Sequence, residues 1–244
     1  MSQLAHTHPR RATEIIDASF RFYRAHFGNL LVISALLLVP MALIGAVVPN
    51  DAQRFVQLIG NWMYLICEGA VAVLVAAAIE RDQSLSGGEV FRALGSNAGK
   101  VVGASIVSGL IVFIGFVLLI VPGFIALSWT MVAIPVAAIE GLSSSPAIAR
   151  SRELARGRMG HVLGTMLLAW LIVVALMLGI AMTLGALFAL VGLPDRLRDM
   201  LGELVMVPLF PLIGVAVTLL YYDLRVRSEG ADVEAMVNAL PEAP

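Results

Sequence analysis

Between Lys100 and Glu140 lie 39 consecutive residues without an Asp, Glu, Lys or Arg, and between Arg158 and Asp195 lie 36. A helix rises ~1.5 Å per residue and a bilayer's hydrocarbon layer is ~30 Å thick, so about 20 apolar residues cross it. Each run exceeds one crossing. As a single helix the first would measure ~58 Å, about twice the layer. Pro122-Gly123 lies inside it. Two spans joined by a tight hairpin fit better than one.

A water-facing surface is out of reach for most of this chain. Only 14% of its residues are charged and 59% are apolar, whereas a soluble domain carries about 25% charged residues. Little chain remains for a separate soluble domain. One cysteine, Cys67, excludes an intramolecular disulfide and a zinc framework. The net charge of −1 names no partner. Apart from Lys100 every basic residue is Arg, the bias that a GC-rich bacterial genome produces.

Met1 to Arg11 reads as a polar terminus, with His6 and His8 beside Pro9. From Thr13 to Asn29, Ile16, Phe20, Tyr23, Phe27 and Leu30 recur at helical spacing, with Asp17, Arg21, Arg24 and Gly28 opposite. Rings and Arg on one such helix suit the headgroup layer. The first span is expected from about Leu30 to Val48, retained because its polar preface is too long for a signal peptide. Pro49-Asn50-Asp51 marks a turn. A second span runs from about Phe55 to Ile79 and carries Glu68. Ser86 and Glu89 have capping-box spacing and predict a short helix through Phe91 and Leu94.

The third span is expected from Val101 to Val121, and a short fourth from Phe124 to Ile139, where Pro135 predicts a kink or a half-embedded hairpin. Ser143-Ser144-Ser145-Pro146 starts a polar helix, with Pro in the first helical position. The fifth apolar run, Val162 to Val191, is too long for one straight crossing, so it tilts, breaks at Gly179 or Gly185, or projects. Leu193 to Glu203 reads as a surface connection, and Leu204 to Tyr222 as a sixth span.

Ala77-Ala78-Ile79-Glu80 recurs as Ala137-Ala138-Ile139-Glu140, and each copy precedes a serine-capped polar helix and a new apolar run. The segment from Thr13 has the same order. The fold class expected is therefore all-α: a polytopic bundle of about six transmembrane helices with short interfacial helices, in three units of one interfacial helix plus a hairpin. The domains expected are a disordered polar tail over 1–12, a single six-helix membrane domain over 13–222 and a cytoplasmic polar tail, partly disordered, over 223–244.

Six spans put both termini on one side. That side receives 13 basic residues and the other only Arg54, Arg196 and Arg198. Basic residues resist translocation, so both termini and the interfacial helices are expected in the cytoplasm, and the protein in a bacterial inner membrane.

Val121-Pro122-Gly123, Ala133 to Gly141, Arg150 to Gly164, the opening IIDASFRFYRAHFG and the ending LLYYDLRVRSEG carry a resemblance. At these segments the chain resembles the family of the membrane domain of glycerophosphoryl diester phosphodiesterase. The resemblance implies a six-helix membrane module. In proteins of that name the chemistry belongs to a separate soluble barrel, so the resemblance implies no catalytic residues here.

No HExxH, GxSxG or P-loop occurs, and no catalytic residue, metal site or cofactor is expected. His161 reads as an interfacial anchor. Glu68 is the candidate intramembrane polar site. An ionised carboxylate at mid-bilayer costs ~2.5–3.5 kcal/mol or more, so such residues face protein or water. Desolvation favours its neutral form, and its partner is expected from another helix, such as Ser105, Ser108, Ser128 or Thr130, or from water. It serves either as a packing contact or as a proton-linked or polar-substrate site. Arg150, Arg152, Arg156 and Arg158 could hold an anionic phospholipid headgroup or an acidic membrane-protein partner, or simply keep the segment inside. Gly99 and Gly103, Gly160 and Gly164, and Gly185 let helices approach closely, within the chain or in a homo-oligomer.

The partner expected throughout is the lipid bilayer, not nucleic acid. The leading expectation is a non-enzymatic scaffold, partner-binding or lipid-organising module. The alternatives are a permease or its membrane subunit, and an accessory to glycerophosphodiester or phospholipid metabolism.

Overall fold

The computed structural model describes residues 10–49 and 52–238, with side chains to Gly230. His6, His8, Asn50 and Asp51 lie outside the described residues. Eleven helices and no strand occur among those described. Six segments are long and apolar enough to cross a membrane. The protein is an all-α multi-pass membrane bundle.

Three units follow one another. The first is α1 (Ala12–Ala25), α2 (Phe27–Val47) and α3 (Gln53–Glu80). The second is α4 (Gly87–Gly95), α5 (Ala98–Leu118) and a broken return through α6 (Ile120–Thr130) and α7 (Ala133–Ile139). The third is α8 (Ser144–Ala155), α9 (Met159–Val191), α10 (Asp195–Met206) and α11 (Phe210–Asn238). The returning helices α3, α7 and α11 pack on one another in the centre. Each short helix lies on the hairpin of the unit before it: α4 on α2 and α3, and α8 on α5, α6 and α7. Helix α1, in the first unit, lies on α9 and α11 of the last. Chain order thus closes into a ring.

Small residues explain the centre. Where lipid supplies no hydrophobic drive, close packing must hold helices together. Cys67, Gly69, Ala70, Val71, Ala72, Leu74, Val75, Ala76 and Ala77 of α3 are all buried. A Cβ on Gly69 would sit 3.1 Å from Val101, and one on Gly214 would sit 3.2 Å from Val71. Around this centre, Leu36, Phe55, Phe113, Leu171 and Met182 stay exposed, as a lipid-facing surface requires.

Proline sets the breaks. Pro135 has no N–H, and its ring opposes the carbonyl four residues back, at Met131. The turn at Met131–Val132 separates α6 from α7 there. Pro211 likewise follows the turn that precedes α11. The second hairpin turns at Leu119, a single extended residue at φ −168°, rather than at Pro122-Gly123. Pro122 is tolerated in the first turn of α6, where an N–H lacks a helical partner anyway. The same logic puts Pro146 in the third position of α8, whose N-cap is Ser143.

Other expectations shift. Helix α1 buries Ile15, Ile16, Ala18, Ser19 and Phe22, while Phe20 and Tyr23 are half-buried and Phe27 is exposed. The buried face is the one packed on α9 and α11, and because α1 ends at Ala25 the spacing does not continue through His26 to Phe27. Helix α9 is continuous for 33 residues, ~50 Å, so it tilts or projects rather than breaking at Gly179 or Gly185. Gly192, at φ 68°, ends it in the left-handed conformation that favours glycine. Helix α11 passes Tyr222 without a break and stays helical to Asn238, so the expected tail begins as helix. Ser86 starts α4 as its spacing implies: its N–H and hydroxyl both donate to Glu89 Oε2, at 2.9 and 2.7 Å. Those hydrogen bonds hold the Glu89 carboxyl below its ordinary value.

Candidate functional site

The three central helices reach the basic face with an acid at corresponding places: Glu80 near the end of α3, Glu140 just after α7, and Asp223 in α11. One stretch of α11, Tyr221 to Glu229, engages all three. The Tyr222 hydroxyl donates to Glu80 Oε1 at 2.8 Å, and Tyr221 donates to Glu140 Oε1 at 2.9 Å. Arg225 lies 3.7 Å from Glu80. Asp223, with 1% of its side chain exposed, pairs with Arg227 at 2.7 Å and with His161 Nε2 at 2.8 Å. It also accepts the Arg10 N–H at 2.6 Å. Arg227 and Arg158 donate to the Arg10 and Arg227 carbonyls in turn. Buried charges need such pairing and hydrogen bonding to be tolerated. This polar knot closes the bundle at the basic face. It brings together residues from the beginning, middle and end of the chain.

The four Arg residues singled out in sequence divide. Arg150 bridges Glu140, Glu153 and Glu229 at 3.3 to 3.7 Å, and Arg158 belongs to the knot. Arg152, in the last turn of α8, and Arg156, the residue that ends it, are both exposed. The Arg152 guanidinium stacks over the Trp129 ring at 4.1 Å. With Ala149 and Glu153 these residues line a surface groove of about 450 Å³.

Glu68 lies roughly 18 Å along α3 from Glu80. It lines a cavity of about 830 Å³ walled by α3, α5, α6, α7, α9 and α11. The partners expected from sequence are not its partners. Ser105, Ser128 and Thr130 donate to carbonyls of their own helices, at Val101, Ile125 and Ala126. A hydroxyl at membrane depth satisfies itself locally where it can. The buried Ser108 hydroxyl has no hydrogen-bond partner among the described residues.

Towards the opposite face, α3 carries Gln53, Gln57, Asn61 and Tyr64 above Glu68, a stripe within an arc of about 80° at 100° per residue. Gln53, Gln57, Asn61 and Tyr64 line a second cavity of about 130 Å³ with Glu203. Phe210, also on its wall, packs against Tyr64 with ring centroids 4.4 Å apart. No sequence signal singled out this stripe, because its members are uncharged apart from Glu68.

Among the glycine candidates only Gly103 meets another element, the Ser144 hydroxyl. Gly99, Gly160, Gly164 and Gly185 have nothing within 4 Å of where a Cβ would be. Close approach within the chain is made by Gly69, Gly115, Gly123 and Gly214 instead. Among the described residues no three His, Cys, Asp or Glu side chains group as metal ligands.

No family model matches this chain, and no curated protein and no solved structure is significantly similar to it.

Proposed function

We propose that this protein is a non-enzymatic module of a bacterial inner membrane that organises anionic lipid at the cytoplasmic leaflet. One observation carries the reading. Of the four Arg residues on and after α8, two are consumed by internal pairs, while Arg152 and Arg156 line an open groove beside Trp129. A guanidinium fork matches a phosphate, and each basic group near an anionic leaflet contributes about 1 kcal/mol. Arg150 lies 3.3 Å from Glu153 and offsets the one carboxylate on the groove's wall.

Both termini are cytoplasmic in this reading, which the basic asymmetry supports. The resemblance to the phosphodiesterase membrane domain supplies a setting, an accessory place in phospholipid or glycerophosphodiester metabolism.

The test is the melting temperature in nanodiscs of phosphatidylcholine with and without phosphatidylglycerol. Anionic lipid should stabilise the wild type and should stabilise the Arg152→Gln/Arg156→Gln variant clearly less. Equal stabilisation of both removes the groove from the account. Turnover of a glycerophosphodiester by purified protein, above a heat-killed control, would defeat the non-enzymatic reading.

The α3 stripe favours a second reading, a permease or its membrane subunit. Polar groups leading from one face towards a mid-membrane carboxylate are what a solute path needs. Proteoliposomes that move no tested solute would count against it.

A further inference from the structure

The cavity beside Glu68 is large enough for a small organic molecule, since ligand pockets run from about 300 to 1,000 Å³. Its walls are apolar and aromatic, with Phe124, Leu127, Met131, Leu167 and Trp170 among them. No Arg, Lys or His contributes to the lining. The Glu68 carboxyl has no hydrogen bond or ion pair among the described residues. A carboxylate held this way in an apolar setting lacks only a counter-charge.

We infer that this cavity is a binding site for a lipophilic organic cation, whose charge pairs with Glu68 and whose apolar body fills the space between α5, α6 and α9. Three independent features select that class. Charge complementarity comes first: the site offers one acid and no base. The walls come second. Trp170 and Phe124 line the cavity, and aromatic rings attract cations through their quadrupole. The route comes third. Phe124, Leu167 and Trp170 line the cavity yet remain 46%, 61% and 60% exposed. The cavity therefore opens sideways towards lipid, where a hydrophobic cation concentrates. This site is independent of the Arg152–Arg156 groove and stands if that groove fails its own test.

Two probes of nearly equal size and opposite charge, tetraphenylphosphonium and tetraphenylborate, separate charge from hydrophobicity without any mutation. Equilibrium dialysis against the purified full chain in detergent should show saturable binding of the phosphonium and none of the borate. Glu68→Gln keeps the shape and removes the charge, and should weaken the phosphonium at least tenfold. Gly109→Leu and Gly164→Leu offer a second route if that variant fails to fold. Both glycines line the cavity with nothing within 4 Å of a Cβ, so the added side chains fill the space and leave Glu68 in place. Each should weaken the phosphonium at least tenfold. Equal binding of the two ions overturns the proposal, as does phosphonium binding that none of these variants reduces. Saturable binding of dioctanoylglycerol in place of the cation assigns the cavity to neutral lipid and also overturns it.

Discussion

Tyr222 donates to Glu80 at 2.8 Å across 142 positions of sequence. The adjacent Tyr221 donates to Glu140 at 2.9 Å. Two neighbouring side chains of the third unit therefore clasp the acidic ends of the first and the second. The rings pack edge to face, with centroids 5.0 Å apart. Removing either hydroxyl leaves a carboxylate short of a donor. A hydrogen bond to a charged group contributes about 1.5–3 kcal/mol, and both carboxylates are part-exposed, so we discount this to about 1 kcal/mol each. Tyr221→Phe and Tyr222→Phe should each lower the melting temperature in detergent modestly, and the pair of changes roughly additively. Melting curves that superimpose on wild type would show that the clasp contributes nothing.

Asp223 holds the ring shut. Its carboxylate gathers Arg227, His161 and the Arg10 N–H, from α11, α9 and the segment preceding α1. Truncating one member of a buried charged group strands the others, at a cost of about 3–5 kcal/mol. Asp223→Ala should therefore destabilise far more than either Tyr→Phe change. Asp223→Asn keeps the shape and should fall between. If α1 is fastened through Asp223, limited proteolysis should cut near Arg10 and Arg11 sooner in the Ala variant. Unchanged cleavage there would mean that α1 is held by Ile15, Ala18 and Phe22 alone.

Much of this architecture is legible in the sequence, and the misses have physical causes. The uncharged runs, the capping-box spacing at Ser86 and the repeated Ala-Ala-Ile-Glu yield six spans in three units. Asp223 escapes that repeat because its unit ends Leu-Tyr-Tyr-Asp, and helix α11 continues beyond it. Equivalence in space needs no letter match. The Arg residues of α8 look alike in sequence, because which of them finds a carboxylate depends on where Glu140 and Glu229 arrive. Glycines at four-residue spacing mark helix faces able to approach a neighbour, but not whether one is there. Gly69 and Gly214 lack that spacing and make the close contacts.

The second hairpin gives a sharp contrast among glycines. A Cβ on Gly115 would lie 3.0 Å from Gly123 Cα and 3.1 Å from the Pro122 carbonyl. Both obstacles are backbone and cannot swing away. Gly115→Val should force α5 and α6 apart and cost on the order of 1–3 kcal/mol, as overpacking does. Gly160→Ala, with nothing near the new atom, should match or exceed the wild type, since Ala favours a helix by up to about 1 kcal/mol. Thermal denaturation of the two variants in one detergent checks this. A marked loss of stability or a change of oligomeric state in Gly160→Ala would instead place a second copy of the chain against α9.

The orientation of the bundle can be read from labelling. Thirteen basic residues fall on the face of α1, α4 and α8, and three on the other. Translocation resists basic loops, so the face of the polar knot should be cytoplasmic. Cys67 is buried, and Cys67→Ser provides a background without a native thiol. In that background, single cysteines at Asn50, between the first two spans, and at Asp195, at the start of α10, should react with a membrane-impermeant maleimide in intact cells once the outer membrane is permeabilised. A cysteine at Ser144, at the start of α8, should react only after the inner membrane is lysed. The reverse pattern inverts the bundle and puts the Arg152–Arg156 groove on the wrong leaflet. Labelling at Asn50 but not at Asp195 in intact cells would instead break the six-span count between α9 and α10. The continuous 33-residue α9 makes that outcome unexpected, because it is long enough to carry Gly192 through the ~30 Å layer from the face where Arg158 begins it.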